Sequence, residues 1–278
     1  MRKLFCLALA AAAVSPAALA LNPATSSSSA SGAAAGGDSN AVATPAYNSS
    51  LEPLSHIGLG VGIGAGGINL QAATNLNRYM NLRGVGNVFS YTVSNVTTNG
   101  LTLNGKLNLA SAGVSVDVYP FPMHGLRFSP GVLFYNQNSA SANVTVPGGT
   151  SFTLNDNTFY SSTSNPVAGT GTLGLNAQNP AFSMTTGWGN LISRRGGHFS
   201  IPFEIGAAFV GTPKINIALN SGQVCTNPQG TENCQDVASD PDVQSNLQTQ
   251  IAKYQNDLNP LKVYPIVSVG IGYSFRIR

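Results

Sequence analysis

The final segment of the sequence, LKVYPIVSVGIGYSFRIR, alternates between two kinds of residue. Every odd position from Val263 to Ile277 is apolar, and most even positions are polar or small, with Tyr264 and Ile266 as the exceptions. A period of two places alternate side chains on opposite faces of a β-strand. The alternation extends over about sixteen residues, which is longer than an ordinary strand of a globular protein. A long apolar face with aromatic residues near its end is typical of a transmembrane β-barrel strand.

The N-terminal residues predict export. Arg2 and Lys3 precede a short apolar segment, and Ala18 and Ala20 fit the small-residue rule for cleavage, so residues 1–20 are predicted to be a signal peptide. No later stretch has the eighteen consecutive apolar residues of a membrane-spanning helix. Residues 21–55 are rich in Ser, Ala and Gly and are predicted to be a flexible leader. Residues 56–278 are predicted to form the barrel.

The charge content excludes one class of partner. Charged residues make up 8% of the chain, and the net charge is +3, which falls to +1 when Arg2 and Lys3 are removed with the signal peptide. This balance gives no reason to expect a nucleic-acid partner. Glycine, serine, asparagine and threonine take the place of charged residues, as expected where strands alternate apolar residues outside with small polar residues inside.

The same alternation recurs along the chain and predicts eight strands. They lie at about 56–63, 68–74, 79–93, a segment ending with AGVSVDVYP, 126–137, 181–192, 198–211 and 263–278. The connections after the second, fourth and sixth strands are short, and those after the third, fifth and seventh are long. The predicted fold is all-β, an eight-stranded antiparallel transmembrane β-barrel with long extracellular loops and both termini in the periplasm. Part of the fifth loop, at 143–154, is predicted to extend a hairpin above the membrane.

The longest loop contains a helix signal and a cysteine pair. Asp240 can cap a helix, Pro241 fits its first turn, and Asn259 with Pro260 can end it. The apolar stripe of this helix is Val243, Leu247, Ile251, Tyr254 and Leu258. We expect this stripe to pack against the loop or the barrel rim, and contact with a partner or a membrane surface is the alternative.

Cys225 and Cys234 flank turn residues within the same loop of an exported chain. A disulfide between them is therefore predicted. Two thiols without a nearby histidine cannot complete a zinc site, so no metal site is predicted.

Four charged residues fall on predicted inner faces: Arg83, Asp117, Arg127 and Glu204. An unpaired charge in a narrow lumen is costly, so these residues are predicted to pair as an ion cluster that closes the barrel. A gate or a narrow conduit is the alternative, because lumenal charges can also set selectivity.

Neither a cofactor site nor a catalytic site is predicted. The glycines from Gly62 to Gly67 match a dinucleotide-binding template, but a strand rather than a helix follows them. Alternate glycines instead suit the inner wall of a narrow barrel. His56, His124 and His198 all fall at the predicted periplasmic ends, and no Ser-His-Asp or metal constellation emerges. The chain is therefore predicted not to be an enzyme.

Several segments resemble one family of small outer-membrane barrels, grouped with the outer membrane protein A and outer membrane protein W barrels. These segments are SVDVYPFPMHGLRFSPGVLFYNQN, GWGNL, FEIGAAFVGTPKINIAL and the closing VYPIVSVGIGYSF. The resemblance implies an outer-membrane location, contact with membrane lipid, and recognition of the C-terminal strand by the barrel-insertion machinery. That recognition signal ends on an aromatic residue in the family, whereas three residues follow Phe275 here.

The expected function is that of an integral outer-membrane barrel without catalytic activity, with a structural or surface-interaction role through its loops. A narrow conduit for small or hydrophobic solutes is the alternative. The sequence itself specifies no partner for the extracellular loops.

Overall fold

The computed structural model describes residues 52–98, 101–194 and 196–277. The predicted signal peptide and all but the last four residues of the predicted leader lie outside the described residues. Those four residues are joined to the strands: the Leu54 amide donates to the Asn75 carbonyl oxygen at 2.8 Å, and the Ile277 amide donates to the Ser55 carbonyl oxygen at 2.8 Å.

Within the described residues the chain forms sixteen strands and one helix. In chain order they are β1 (His56–Gly64), β2 (Gly67–Asn75), β3 (Met80–Thr98), β4 (Leu101–Val118), β5 (Leu126–Asn136), β6 (Ser139–Val146), β7 (Ser151–Leu154), β8 (Asn157–Ser161), β9 (Val167–Gly174), β10 (Ala181–Trp188), β11 (Phe199–Ser200), β12 (Phe203–Phe209), β13 (Lys214–Ser221), β14 (Gln223–Cys225), β15 (Gln235–Asp236), α1 (Pro241–Leu258) and β16 (Val263–Arg276).

Eight of these strands pair in a ring. β1, β2, β3, β4, β5, β10, β12 and β16 each pair with the next, and β16 pairs back with β1, all antiparallel. These are the eight strands that the alternating pattern predicted. One end of the ring holds residue 56, residue 276 and the connections 76–79, 119–125 and 189–202, and we call it the terminal end. The opposite end is the loop end.

The alternation in sequence separates the two faces of the ring. On β16, Ser268 and Ser274 point inward and are buried, whereas Val269 and Ile271 are 45% and 60% exposed on the outside. Successive side chains of a strand point to opposite faces. The ring is therefore polar inside and apolar outside, the reverse of a soluble protein.

Three predicted strands have clearly different limits from those expected. β3 was predicted to end at residue 93 but runs to Thr98. The sixth was predicted to reach residue 192, but β10 ends at Trp188 because Gly189, with a φ of +95°, turns the chain into the ring. The seventh was predicted to be continuous over 198–211. It is split into β11 and β12 around Pro202, which has no amide hydrogen to give to the ladder.

The loop end carries further strands that the sequence did not predict as such. β6 pairs with β4 and β9, and β9 pairs with β13, so the wall of the ring continues upward as a sheet. A second sheet contains β7, β8, β14 and β15. Of the segment 143–154, which was predicted to extend a hairpin, the residues up to Val146 belong to β6 and continue the wall with β4 and β9, whereas Ser151–Leu154 form β7 and pair with β8 in the second sheet.

The predicted helix is confirmed with its predicted limits. The Asp240 carboxylate accepts from the amides of Asp242 and Val243 at 2.9 and 3.0 Å, and Asn259 follows the last helical residue. Val243 is fully buried among valines of the loops, and Leu247 is 2% exposed. The apolar stripe therefore packs within the loop region. Among the described residues, no helix combines the length and apolarity needed to cross a membrane.

Candidate functional site

The interior of the ring brings the four predicted charged residues together. Arg83 lies on β3, Asp117 on β4, Arg127 on β5 and Glu204 on β12, and all four are at most 6% exposed. Arg83 Nε donates to Asp117 Oδ1 at 2.9 Å, and Arg83 Nη1 donates to Glu204 Oε2 at 2.6 Å. Arg127 Nη2 donates to the same Glu204 oxygen at 2.8 Å. We call these residues the ion cluster.

The ion cluster is balanced in charge and well supplied with hydrogen bonds. Two guanidinium groups face two carboxylates. Ser129 Oγ also donates to Asp117 at 2.7 Å, and Arg127 Nη1 donates to the Gly189 carbonyl oxygen at 2.9 Å. Buried charges are tolerated when they are both paired and hydrogen-bonded. The cluster therefore cross-links four strands of the ring through its interior.

A chain of amide side chains leads from the ion cluster toward the loop end. Arg83 donates to Gln71 Oε1, Gln71 donates to Asn69 Oδ1, Asn69 donates to Asn87 Oδ1, and Asn87 donates to Ser111 Oγ. Every bond in the chain is donated in the same direction. Hydrogen bonds in such a chain polarise and strengthen one another. None of these amide residues was predicted to belong to a site, although Asn69, Gln71 and Asn87 stand at inward positions of their strands.

A small cavity lies beside this chain, above the ion cluster. Its volume is about 60 Å³, and its lining includes Asn87, Ser111, Ser115 and Glu204. Ligand pockets for small molecules usually measure about 300–1,000 Å³, whereas about 10–15 Å³ of such volume holds one water. Ser115 Oγ is buried without a hydrogen-bond partner in the protein. The cavity therefore suits a few water molecules better than an organic solute.

The terminal end of the interior is filled by residues 189–194, which we call the inner segment. Leu191 and Ile192 are fully buried and pack with Ala73. A Cβ atom built on Gly58 would lie 2.7 Å from the Leu191 carbonyl oxygen, and one on Gly60 would lie 2.8 Å from Leu191 Cδ1. The alternate glycines were predicted to suit the inner wall of a narrow barrel. The structure gives the particular reason at these two positions, because the inner segment lies directly against them.

Arg194 holds the far end of the inner segment. Its guanidinium carbon lies 4.1 Å from the centre of the Tyr119 ring, its Nε donates to the Arg78 carbonyl oxygen at 2.6 Å, and its Nη2 donates to Asn81 Oδ1 at 3.2 Å. Cation–π contacts of this kind are strongest when both partners are removed from water, and Tyr119 is fully buried. The segment is therefore fixed by both apolar and charged contacts.

The three histidines lie at the terminal end, apart from the ion cluster. His56 Nδ1 is 2.9 Å from Ser55 Oγ, and His198 Nδ1 is 2.8 Å from the Ser274 carbonyl oxygen. His124 lies in the connection between β4 and β5 and contacts Phe121 edge-on. Over the part of the chain that the structure describes, no group of three or more His, Cys, Asp and Glu side chains could hold a metal ion.

The two cysteines of the long loop form a disulfide between Cys225 and Cys234, as predicted. It closes a turn next to the second sheet, in which Cys225 pairs with Tyr160. None of the ring strands takes part in this turn.

Replacing both cysteines with serine should leave the ring intact. The disulfide constrains only the nine-residue separation between its ends, so its loss releases a short local loop. We expect unchanged heat-modifiable electrophoretic mobility and faster proteolysis within residues 226–236. Altered mobility of the ring in the double variant would contradict this expectation.

Two solved structures have a fold similar to that of this chain. CarO from Acinetobacter baumannii matches with a TM-score of 0.50 and 18% sequence identity, over 81% of this chain and 98% of CarO. CarO2 from the same organism matches with a TM-score of 0.53 and 20% identity, over 81% of this chain and all of CarO2. At these identities the similarity shows the fold alone.

No protein-family model matches the sequence, and no curated protein matches it. The grouping with the outer membrane protein A and outer membrane protein W barrels therefore stays a prediction.

Proposed function

We propose that the protein is an integral outer-membrane protein whose eight-strand ring is a closed transmembrane β-barrel, with a structural or surface-interaction role through its loops and no catalytic activity. The observation that carries the proposal is the reversed distribution of polarity. Large apolar side chains cover the outside of every ring strand. Examples at 40% exposure or more are Leu59, Val61, Ile63, Ile68, Leu70, Leu82, Val114, Phe128, Phe182, Met184, Phe203, Ile205, Val267, Val269 and Ile271.

An apolar surface of this extent needs a non-aqueous environment. Soluble monomers rarely expose contiguous apolar patches of more than a few hundred Å². In the ring the apolar surface runs all the way round, while arginine and carboxylate groups are buried at the centre. Lipid against the outer face explains both the apolar exterior and the burial of the charged groups inside the ring.

Aromatic residues support the same environment. At the terminal end, Trp188 pairs with Phe203, and at the loop end Phe182 stacks on Phe209 with ring centres 6.1 Å apart. The two pairs are six residues apart along β10, which is about 20 Å of strand. Outer-membrane barrels carry aromatic girdles on both sides of an apolar band about 25 Å tall.

The contents of the interior support a structural role over a conduit. The ion cluster links β3, β4, β5 and β12 across the interior, and the inner segment fills the terminal end. A barrel of eight strands has an interior that side chains can fill. The extra strands and the helix at the loop end form an ordered surface outside the proposed membrane span.

Single cysteine labels on neighbouring residues test the membrane placement. Val269 and Phe182 are exposed on the outer face, whereas Ser268 and Ser183, each 8% exposed, point inward. We expect nitroxide labels at 269 and 182 in lipid vesicles to be accessible to a lipid-soluble relaxation reagent. Labels at 268 and 183 should be protected from it. Equal accessibility within either neighbouring pair would refute the placement of that strand in lipid.

A further inference from the structure

The sheet that rises from the ring at the loop end has one exposed polar face. We call this five-strand sheet the upper sheet; it consists of residues 89–98 of β3, residues 101–109 of β4, and β6, β9 and β13. Its strands continue β3 and β4 of the ring, so its outer face continues the outer face of the ring. The change from apolar to polar occurs at one level, because Val88 pairs with Ala110 and the next outward pair is Ser90 with Asn108.

The outer face of the upper sheet contains hydroxyl and amide side chains with two lysines. Its polar members include Ser90, Thr92, Thr97, Thr102, Asn104, Lys106, Asn108, Ser139, Ser141, Asn143, Thr145, Thr170, Thr172, Lys214, Asn216 and Asn220, and Ala168, Gly174 and Ala218 lie between them. No aspartate or glutamate stands among these described positions. The face therefore offers many neutral hydrogen-bonding groups and a positive charge.

The two lysines lie in the first two polar rows above the apolar band. The first row runs Ser90, Asn108, Ser139, Gly174 and Lys214 across the five strands, and the second runs Thr92, Lys106, Ser141, Thr172 and Asn216. Both lysine side chains are exposed. They stand on β4 and β13, three strand spacings apart, which is about 14 Å.

The negative charge of the loop end lies on the opposite side of the upper sheet. The inner face is apolar, and its Val146 and Val167 pack against Val224, Val237 and Val243 of a covering layer formed by β7, β8, β14, β15 and α1. This layer and its connections carry six acidic residues and two lysines: Asp156, Glu232, Asp236, Asp240, Asp242, Asp257, Lys253 and Lys262. The two sides of the upper sheet therefore differ in the sign of their charge.

We propose that the outer face of the upper sheet binds the phosphorylated saccharide headgroups of glycolipid in the outer leaflet of the membrane. This inference rests on the membrane placement proposed above, which puts the face immediately beyond the apolar band, and on the predicted extracellular position of the long loops. Serine, threonine and asparagine side chains can donate to and accept from sugar hydroxyls. Lysine ammonium groups attract phosphate as point charges. Because Lys106 and Lys214 lie in the first two polar rows above the apolar band, their charges lie at the level where lipid headgroups begin.

Native mass spectrometry of the detergent-solubilised full-length protein tests this inference, with phosphorylated lipopolysaccharide as the probe. We expect the protein to retain the phosphorylated form and to lose most of that retention when the probe is enzymatically dephosphorylated. The double variant Lys106→Gln/Lys214→Gln should bind the phosphorylated form roughly thirtyfold more weakly, given the attraction of individual lysines to anionic lipid surfaces. A Lys106→Arg/Lys214→Arg variant should restore binding.

Lys253→Gln is the matched control, because it removes an exposed lysine from α1 in the covering layer. Its binding should equal that of the unaltered protein. The inference is overturned if Lys253→Gln weakens binding as much as the double variant, or if the dephosphorylated probe binds equally well. Heat-modifiable electrophoretic mobility of each variant reports on the ring and not on the upper sheet. If that mobility is retained while the binding results overturn the inference, the membrane placement of the ring still stands.

Discussion

Replacing Arg83 with methionine should lower the free energy of unfolding by about 3–5 kcal/mol, because it removes one partner of a buried ion pair. Arg83 is the residue that joins both carboxylates of the ion cluster, with bonds to Asp117 and Glu204. Its loss leaves Asp117, which is fully buried, without a cation. Denaturant-induced unfolding of the protein in lipid vesicles would measure the change.

A control and a double variant make this result specific. Arg78→Met removes an exposed arginine at the terminal end and should change the free energy of unfolding by less than about 1 kcal/mol. Arg83→Met combined with Asp117→Asn should cost less than the sum of the two single changes, because the second change removes the carboxylate that the first left unpaired. Strict additivity of the two changes would mean that the ion cluster does not act as a unit.

Replacing Gly58 with valine should displace the inner segment. The added Cβ would lie 2.7 Å from the Leu191 carbonyl oxygen and 3.0 Å from its carbonyl carbon, so one of the two chains must move. Leu191 and Ile192 are fully buried, and each contributes about 1.5–3 kcal/mol through burial. We expect a stability loss of about 3–5 kcal/mol. In an Ile192→Cys background, we also expect a thiol that reacts with a water-soluble reagent only when Gly58 is changed.

Gly86→Val provides the comparison for this experiment. Gly86 lies on the outer face of β3, and a Cβ there would meet no atom within 4 Å. This variant should keep the stability of the parent and leave the thiol at 192 unreactive. If Gly58→Val gave the same result as Gly86→Val, the inner segment would not occupy the ring as described.

The ring strands were predictable because their signal is local. Alternation along each strand fixes which residues face inward. It therefore placed Arg83, Asp117, Arg127 and Glu204 on inner faces, and the structure brings these residues within hydrogen-bonding distance. The limits of α1 were predictable for the same reason, since Asp240 satisfies the first free amides of the helix from an adjacent position.

The inner segment was not predictable from local pattern. Asn190 would face outward and Leu191 inward if the alternation of β10 continued, but this local break does not show where the chain goes. The backbone at Gly189 turns the chain away from the wall. The upper sheet was missed for a related reason. Its strands are rich in serine, threonine and asparagine, so their pairing depends on partners far along the chain. The amide chain from Gln71 to Ser111 likewise depends on contacts between different strands.

The wall of the ring differs in height around its circumference. β1 and β2 end in a tight turn at residues 65–66, whereas β3 and β4 continue beyond that level. The ten further residues of β3, 89–98, correspond to about 30 Å of strand. The ring thus has a tall side and a low side, and the low rim is tied to β16 by the Tyr264 hydroxyl, which donates to the Ala65 carbonyl oxygen at 2.9 Å. Viewed from the loop end, the polar upper sheet stands on one side of the ring and the low rim on the other, so the described ring has a front and a back.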